Sequence, residues 1–414
     1  MLVHQKNRLL PINSQRGVVL MLLLLLVSMG ALAVFVSGLN RAAVQLERDK
    51  VTAAALAQAK EALIGDAASQ STVNLSGLLR LPDLGFGPIV TTLSEGNAAP
   101  NFTGNTENHS VIGKIPWKNL GISALRDGQG ECLWYVVSGR FKKTPVTDVL
   151  NWDTQGQIDV IDGNGNAIAN NVIALVVSPG RILDGQGHAL SDPVYRQCGG
   201  NYDARNYLDS FAIADAISGE VNYFTGNTNN RVALDANNKR FVMAANDHYN
   251  DRFLMITAED LFRPIIRRSD FALQISSFLD DAEFHAHLQT VAVTGQKGTD
   301  SVNCNAITLV ASAENKTFCN NWKEMLLLTA LAVPAPITID GAPSPTACSR
   351  VLIFGGKKSG AQVRQTVADK AAPANYLEGA NKAAFATPVA ASSNFIGAST
   401  FDANTPSFDL LRCL

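Results

Sequence analysis

The feature that most constrains the fold of this chain is an uncharged segment close to its N-terminus. Residues 18–39, VVLMLLLLLVSMGALAVFVSGL, contain no charged side chain. As a helix the segment would be about 33 Å long, enough to cross a bilayer core of about 30 Å. The preceding residues 1–17 contain Lys6, Arg8 and Arg16 and no acidic residue. Because basic residues stay on the cytoplasmic side of a membrane, the sequence predicts a cytoplasmic N-terminus, with the remaining chain outside.

The residues that follow the apolar segment continue a helical pattern. Residues 40–68 are rich in Ala, Leu, Gln, Glu, Lys and Arg, all of which favour the helix. Apolar residues recur at spacings of seven and four, which places them on one helical face: Val44, Val51, Ala55, Ala59 and Leu63. The sequence therefore predicts one helix that crosses the membrane at 18–39 and emerges as an amphipathic arm over 40–68, ending near Gly65.

Two simpler interpretations of the N-terminus remain open. A secretory signal peptide would be cut after small residues such as Ala31-Leu32-Ala33, although the apolar segment continues six residues past them. A plain signal anchor would keep the same helix without cleavage.

The chain begins with a basic leader that ends in Gly17, followed by an apolar segment that begins at Val18 and by a long helix predicted to lead into a globular head. This combination resembles the type IV pilin and type II secretion pseudopilin superfamily. The resemblance covers roughly residues 11–65. It implies that a prepilin peptidase cuts the chain between Gly17 and Val18, and that the new N-terminus is methylated. It also implies a single-pass protein of the bacterial inner membrane, with a periplasmic head that reaches the cell surface once assembled, and other pilin or pseudopilin subunits as partners.

The chain departs from the superfamily at the fifth mature position, where Leu22 replaces the usual glutamate. Minor subunits that lack this glutamate, such as the K-type pseudopilin, have leaders and apolar segments similar to QRGVVLMLLLLL. In a filament the family glutamate meets the N-terminal ammonium of a neighbour, because a charge within a bilayer is costly unless it is paired. Leu22 offers no such charge, so the resemblance implies a subunit at the tip or initiation point. Alternatively, Leu22 is one more apolar packing residue.

The composition restricts the function further. With 46% hydrophobic and 17% charged residues the chain is not a disordered tail, and a net charge of −2 argues against nucleic acid as a partner. The common hydrolase motif G-x-S-x-G is absent. The sequence thus favours a non-catalytic minor pilin-like subunit, in either a pilus or a secretion system. The alternative is a membrane-anchored periplasmic binding or hydrolytic protein.

The exported head is predicted to be α+β, with a first β-rich lobe over 69–255 and a helical segment with a second β-rich lobe over 256–414. Residues 157–161 and 172–177 are predicted to pair as a hairpin around the turn 162–166. A helix is predicted to begin at Thr257, capped reciprocally with Asp260, and to continue to about Ala282. A second core helix is predicted over 321–333, capped by Asn321.

Two segments of the head resemble each other. Residues 173–209 and 351–378 each have an apolar strand, a glycine turn followed by a basic residue, a glutamine, and then Asn-Tyr-Leu-acid. The similarity indicates either a duplicated lobe or a coincidence of turn chemistry.

All six cysteines follow the apolar segment, so export would place them in an oxidising compartment: Cys132, Cys198, Cys304, Cys319, Cys348 and Cys413. An even number there indicates disulfides, although free buried thiols are the alternative. The sequence predicts the local pair Cys304–Cys319, and a bond between Cys348 and Cys413 would fix the C-terminal tail.

The turn at 162–166 contains a weak candidate for a calcium site. Asp162, Asn164 and Asn166 have the alternate spacing of a calcium loop, but they lack its glycine and its closing glutamate, whose place Ile173 takes. A hairpin turn that uses Asn and Gly for left-handed conformations is the favoured interpretation. No other cofactor is predicted.

Overall fold

The computed structural model describes residues 15–85, 95–101, 106, 109–146, 149–188, 197–198, 201–210, 223–225, 239–293, 302–309, 312–385, 389–390 and 392–414. Of residues 15–17, 33, 35–37, 40 and 223–225 only the backbone is described. Over this part of the chain the fold combines helices with several mostly antiparallel sheets. The predicted α+β class is therefore confirmed at this level.

The N-terminal helix α1 runs from Gln15 to Ala68. Its described side chains are exposed from Val18 to Arg48, whereas Ala55, Ala59 and Leu63 are buried in the head. The other two members of the predicted stripe, Val44 and Val51, are exposed. Only the last third of the helix therefore contributes to the core of the head.

The predicted membrane segment 18–39 lies within this helix, and its side chains at 33 and 35–37 are outside the described residues, as are residues 1–14 of the predicted leader. Within the described part of the chain, no helix combines sufficient length and apolar character to span a bilayer.

The head contains two principal sheets. The strands of the first sheet are β1 (His109–Lys114), β2 (Trp134–Val137), β5 (Ala174–Ser178), β6 (Tyr223–Thr225) and β8 (Arg252–Ile256). Those of the second are β9 (Leu326–Ala335), β12 (Cys348–Phe354), β13 (Val389–Ala390) and β15 (Leu410–Cys413). In the first sheet all pairings are antiparallel and the strand order is β6-β1-β2-β5-β8; in the second sheet the order is β13-β9-β12-β15.

Two smaller sheets contain the other described strands: β3 (Ile158–Asp162), β4 (Ala167–Val172), β7 (Lys239–Met243), β10 (Thr338–Ile339), β11 (Ala342–Pro343) and β14 (Ile396–Gly397). Their strand orders are β4-β3-β7 and β11-β10-β14.

The further helices are α2 (Ala258–Ile266), α3 (Ser269–Leu279), α4 (Ala282–Thr290), α5 (Ala313–Trp322), α6 (Val367–Ala371) and α7 (Gly379–Ala384). The capping box of Thr257 and Asp260 is confirmed, because each side chain accepts a hydrogen bond from the other residue's backbone N–H. The single helix predicted from Thr257 to Ala282 is wrong in extent. Two helices, α2 and α3, occupy the predicted range, and α4 begins only at its last residue, Ala282, with a separate cap, Asp281.

The first sheet separates two hydrophobic cores. Along β2, Tyr135 and Val137 face the larger core, whereas Trp134 and Val136 face the smaller, as the two-residue period of a strand requires. The larger core includes Leu63 of α1 together with residues on both sides of position 255, so the two predicted lobes pack against each other.

Aromatic side chains fill the middle of this larger core. Trp152 makes an edge contact with Trp322, with ring centroids 4.6 Å apart, and it also contacts Phe271, Phe354 and Phe401. These residues come from distant parts of the sequence. The contacts therefore tie the loop after β2 to the helices and to the second sheet.

Two sequence predictions about local structure are wrong. The helix predicted over 321–333 is replaced by the end of α5 and by strand β9, because a short continuous apolar run suits a buried strand as well as a helix. The hairpin after Asp162 is real, but its second strand is Ala167–Val172; the more apolar Ala174–Ser178 joins the first sheet.

Candidate functional site

The amphipathic arm of α1 is fixed to the head by specific contacts. The backbone N–H of Gly128 donates to Thr52 Oγ1 at 2.9 Å, and a Cβ on Gly128 would lie 2.2 Å from the carbonyl oxygen of Arg48. Closer to the end of the helix, Lys60 Nζ lies 3.0 Å from Asp260 Oδ2, the same carboxylate that caps α2. The direction in which the free part of α1 leaves the head is therefore defined by side-chain contacts.

The predicted processing and assembly residues lie on the free part of α1. Val18 is 59% exposed and Leu22 is 56% exposed, and neither is brought near the head. Of Gly17 only the helical backbone is described. The structure thus leaves this end of the helix available to other molecules.

The six cysteines form three disulfides: Cys132–Cys198, Cys304–Cys319 and Cys348–Cys413. The predicted local pair and the pair that fixes the C-terminal tail are both confirmed. Bridges of this kind lower the entropy of the unfolded chain, and the long loops of 66 and 65 residues gain most in that model, about 4 kcal/mol each.

The weak calcium candidate is a hydrogen-bonded turn. Asp162 Oδ1 accepts from the backbone N–H groups of Asn164 and Asn166 at 2.9 and 2.8 Å, and Asp162 Oδ2 accepts from the Asn166 amide at 2.9 Å. These bonds lower the pKa of Asp162 and occupy both carboxylate oxygens. Across the described residues, no cluster of three or more His, Cys, Asp or Glu side chains is placed to hold a metal ion.

The two segments with similar sequences have the same local structure. We call them the first module (residues 174–188, 201–210 and 250–256) and the second module (residues 348–378 and 406–413). In each, the glutamine after the central strand folds back on the chain: Gln186 Oε1 accepts from Leu183 N, and Gln362 Oε1 accepts from Ser359 N, both at 2.9 Å. The side-chain amide nitrogen of Gln186 donates to Asp209 at 2.8 Å, and that of Gln362 donates to Glu378 at 2.7 Å. In both modules the acceptor is the acid of the Asn-Tyr-Leu-acid motif.

Each module also places a side chain over its tyrosine. His188, two residues after the glutamine, stacks on Tyr207 with ring centroids 4.4 Å apart. Arg364, also two residues after the glutamine, lies with Cζ 4.0 Å from the centre of the Tyr376 ring. Equivalent positions thus make equivalent contacts, and the sequence similarity reflects a repeated structure.

A second carboxyl group completes each module. Asp251 immediately precedes β8 and accepts a hydrogen bond from the backbone N–H of Asp209 at 2.8 Å. Asp409 immediately precedes β15 and accepts one from the backbone N–H of Glu378. Both aspartates are only 3% exposed, and the side chain of Asp409 is also hydrogen-bonded to the side chain of Glu378.

Two carboxyl groups in such close contact cannot readily both ionise. Burial, reinforced by the negative charge of Asp209, raises the pKa of Asp251 well above its ordinary value. Burial and the charge of Glu378 raise the pKa of Asp409 to about 7, and burial also raises the pKa of Glu378. Each module therefore retains a proton on its acid pair at pH values where an isolated carboxyl group has lost it.

The acid pair of the second module lines a cavity of about 510 Å³. Its other lining residues are one more acid, one amide and small or apolar side chains: Asp340, Gly379, Ala380, Asn381, Ile396, Gly397, Ala398 and Phe408. Asn381 fixes one side of the cavity, because its amide donates to Asp409 Oδ2 and to the carbonyl of Ile396, both at 2.8 Å. Phe408 and Ile396 are 61% and 56% exposed at its rim.

An acid pair with a raised pKa is also found in enzymes that use one carboxyl group as acid and another as base. Here the pair occurs in both modules and is hydrogen-bonded to the same backbone positions in each.

Neither Glu378 nor Asp409 is among the site residues predicted from the sequence. Glu378 belongs to the repeated Asn-Tyr-Leu-acid motif, which by itself indicates only a similarity between two segments. Asp409 belongs to no motif in the sequence. Its role depends on the antiparallel pairing of β15 with β12, which brings it beside Glu378.

Replacing Asp409 with asparagine is expected to change how stability depends on pH. A carboxyl group with a raised pKa contributes stability that is complete below its unfolded value, 3.8, and is lost as pH rises through about 7. Between pH 5 and pH 8 the wild-type chain should therefore lose about 3 kcal/mol more of its free energy of unfolding than Asp409→Asn. Urea titrations at both pH values measure this difference. The control Asp402→Asn removes an exposed carboxylate whose pKa is lowered, so it should keep the wild-type pH dependence between pH 5 and pH 8; an unchanged pH dependence in Asp409→Asn would contradict the assignment.

Comparisons of the chain with models of known protein families, with curated proteins and with solved structures give no match.

Proposed function

We propose that this chain is a non-catalytic minor subunit of a pilin-like filament, either a type IV pilus or a type II secretion pseudopilus. The proposal rests mainly on the different environments of the two parts of α1. One helix, Gln15–Ala68, has its C-terminal third built into the core of the head, while its N-terminal part extends free of the head. This is the arrangement expected of a subunit whose helix packs with the helices of its neighbours.

The exposed surface of the free helix supports the same proposal. From Val18 to Leu26 every side chain is apolar and more than half exposed. A contiguous apolar surface of this kind is unfavourable in water and indicates contact with lipid or with another protein. In the proposed function, residues 18–39 lie in the inner membrane before assembly and among neighbouring helices afterwards.

The three disulfides support an exported head. Disulfides persist in oxidising compartments such as the periplasm and the cell surface, and they are rare in the cytosol. All six half-cystines lie beyond α1 in the sequence. With the basic leader in the cytoplasm, the head would therefore lie in the periplasm.

Two features favour the tip or initiation point of the filament over its shaft. Leu22 provides no carboxylate for the N-terminus of a neighbouring subunit, so the regular contact of shaft subunits is not available to it. The head, residues 69–414, forms most of the chain and would have to be accommodated between successive subunits in a shaft. At the tip no subunit lies above it.

Processing at Gly17 tests the proposal. Replacement of Gly17 with valine should block the prepilin peptidase and leave a precursor about 17 residues longer, retained in the inner membrane. The matched control is Gly38→Val, on the same helix, where a Cβ would meet nothing within 4 Å. Mass spectrometry of the purified protein should give Val18 as the first residue of the wild type and of the control. If Gly17→Val matures to the wild-type mass, the pilin-like function is wrong.

The cavity of the second module gives weight to one alternative, a membrane-anchored periplasmic binding protein. In that case α1 would serve only as an anchor. The N-terminal residue distinguishes the two functions, since an anchor would keep Met1.

A further inference from the structure

The face of α1 that packs into the head continues as an open groove where the helix leaves the head. Arg41, Gln45, Arg48 and Thr52 lie on this face, because they recur at spacings of four, three and four. Thr52 is 6% exposed, whereas Arg41 and Arg48 are exposed. The same helical face therefore changes from a buried contact to an open surface within about one turn.

Two adjoining cavities form this groove, and Gln45 and Arg48 line both of them. The first, of about 380 Å³, lies along α1 and is also lined by Arg41 and Val44. The second, of about 210 Å³, lies between α1 and the head, where residues at the ends of β5 and β8 and after β7 form the opposite wall. We call the two cavities together the arm groove.

The lining of the arm groove is basic. Its charged residues are four arginines and two aspartates: Arg41, Arg48, Arg181, Arg252, Asp49 and Asp127. Both oxygens of Asp127 are occupied, because they accept hydrogen bonds from Ser178 and from three backbone N–H groups of the head. Asp49 Oδ1 accepts from Gln45 at 2.8 Å and lies 2.9 Å from Arg252 Nη1. Both acids are therefore already neutralised by donors of the chain itself.

Two of the arginines are not paired with a described carboxylate. Arg181 lies 3.8 Å from the exposed Asp247, and Arg252 pairs with Asp49. For Arg41 and Arg48, no carboxylate in the described part of the chain lies within ion-pair distance. A guanidinium binds a phosphate group through two parallel N–H donors, so the two arginines suit a ligand of this kind.

The position of the two arginines along α1 indicates where the phosphate comes from. This step rests on the proposed function, in which residues 18–39 lie in the membrane. Arg41 and Arg48 follow Leu39 by about 3 and 13 Å along the helix axis. Helical side chains lean towards the N-terminus, and a long arginine side chain extends its charge towards a membrane surface. Since the polar layer of a bilayer is about 5–8 Å thick on each side, both guanidinium groups can reach it.

We propose that the arm groove binds the headgroup phosphate of an anionic phospholipid in the outer leaflet of the inner membrane, with Arg41 and Arg48 donating to its oxygens. A zwitterionic headgroup fits less well, because it carries its own cation beside the phosphate. A lipid is favoured over free phosphate, since the groove opens beside the membrane, where lipid phosphates are concentrated. The bound lipid holds the head close to the membrane before the subunit enters a filament.

Native mass spectrometry tests this inference on the full chain, released from nanodiscs that contain equal amounts of phosphatidylglycerol and phosphatidylcholine. The wild type should retain phosphatidylglycerol with a preference of about 25-fold, since each of two arginines near a membrane surface contributes about fivefold. Millimolar inorganic phosphate should leave the bound lipid in place. Displacement by phosphate would indicate a site for a free anion and would overturn the lipid assignment.

Variants on two faces of α1 distinguish the arm groove from a general attraction between cations and anionic lipid. Arg48→Gln should lower the preference to about fivefold, and the double variant Arg41→Gln with Arg48→Gln should abolish it. Because both side chains are exposed, the head should remain folded. The matched control Lys50→Gln removes an exposed cation on the opposite face of α1 and should keep the wild-type preference. An equal loss in Lys50→Gln, or a wild-type preference in the double variant, would overturn the proposal.

Insertion of the chain into the nanodiscs is measured in the same experiment. A chain that does not insert would overturn both this proposal and the membrane location in the proposed function. A chain that inserts but retains the two lipids equally would overturn the lipid site alone. Equal retention together with fewer filaments in the double variant would assign the arm groove to an acidic surface of a neighbouring subunit instead.

Discussion

Replacement of Arg364 with methionine is expected to lower the free energy of unfolding of the head by about 3–5 kcal/mol. Arg364 is 2% exposed, and its guanidinium is bonded on all sides. It donates to Asp153 Oδ2 at 3.1 Å, to the Gly356 carbonyl at 2.9 Å, to the Asn375 carbonyl at 2.6 Å and to Gln362 Oε1 at 3.0 Å. Methionine has a similar length but satisfies none of these acceptors.

The largest part of this loss comes from Asp153, which would remain buried without its cation. Asp153 is 4% exposed and belongs to the loop after β2, whereas the other acceptors belong to the second module. The ion pair therefore joins the two parts of the head at one point. A buried charge left without a partner costs several kcal/mol, so the effect should exceed that of the lost hydrogen bonds.

Urea unfolding of the oxidised full chain measures this effect. The matched control is Arg263→Met, which removes an exposed arginine whose pair with Glu259 is worth about 0.2–1 kcal/mol. A double variant, Arg364→Met with Asp153→Leu, removes both charges and should recover part of the lost stability. If Arg364→Met alone unfolds within 1 kcal/mol of the wild type, the ion pair does not join the two parts of the head.

Local signals in the sequence were sufficient to predict several elements of this fold. The Thr257–Asp260 capping box and the Cys304–Cys319 bridge each involve residues close in sequence, and both are confirmed. The apolar stripe of α1 is confirmed from Ala55 onward. In each of these cases the physical cause is local in the sequence: a helix cap, a short disulfide loop or one face of a helix.

Predictions failed where the tertiary structure decides between two local possibilities. The run Leu326–Ala335 becomes a strand because β12 and β13 offer it hydrogen-bond partners on both sides. Its leucine-rich beginning is equally suitable for a helix. In the hairpin after Asp162, the exposed polar strand Ala167–Val172 was missed because its sequence lacks the usual apolar alternation.

The candidate site was the least predictable part of the molecule. The repeated Asn-Tyr-Leu-acid motif indicated Asp209 and Glu378 only as members of a similarity. Their partners, Asp251 and Asp409, immediately precede the strand that closes each module, and no spacing in the sequence connects them. Carboxyl pairs of this kind become visible only when strand pairing is known.

For the assembled filament, the proposed function makes its strongest prediction about how many copies of this subunit each filament contains and where they lie. In the proposed tip position, labelled wild-type protein should appear in a few copies at one end of each filament. Deletion should reduce the number of filaments, or the amount secreted, because initiation fails. The remaining filaments should keep their normal diameter, since the shaft contains other subunits. Labelling along the whole filament would exclude the tip position and leave the pilin-like function standing.

Replacement of Leu22 with glutamate separates the tip position from a shaft position. In a shaft, the new carboxylate would meet the N-terminal ammonium of a neighbour and should be tolerated. At the tip it has no such partner, and an unpaired charge within the membrane costs up to about 3 kcal/mol, so filament number should fall towards that of the deletion. The control Leu22→Met keeps the position apolar and should support wild-type numbers of filaments. Filament counts by electron microscopy, with immunoblots to show equal amounts of mature protein, measure both variants. Normal filament numbers with Leu22→Glu would mean that the residue at this position does not determine where the subunit is placed.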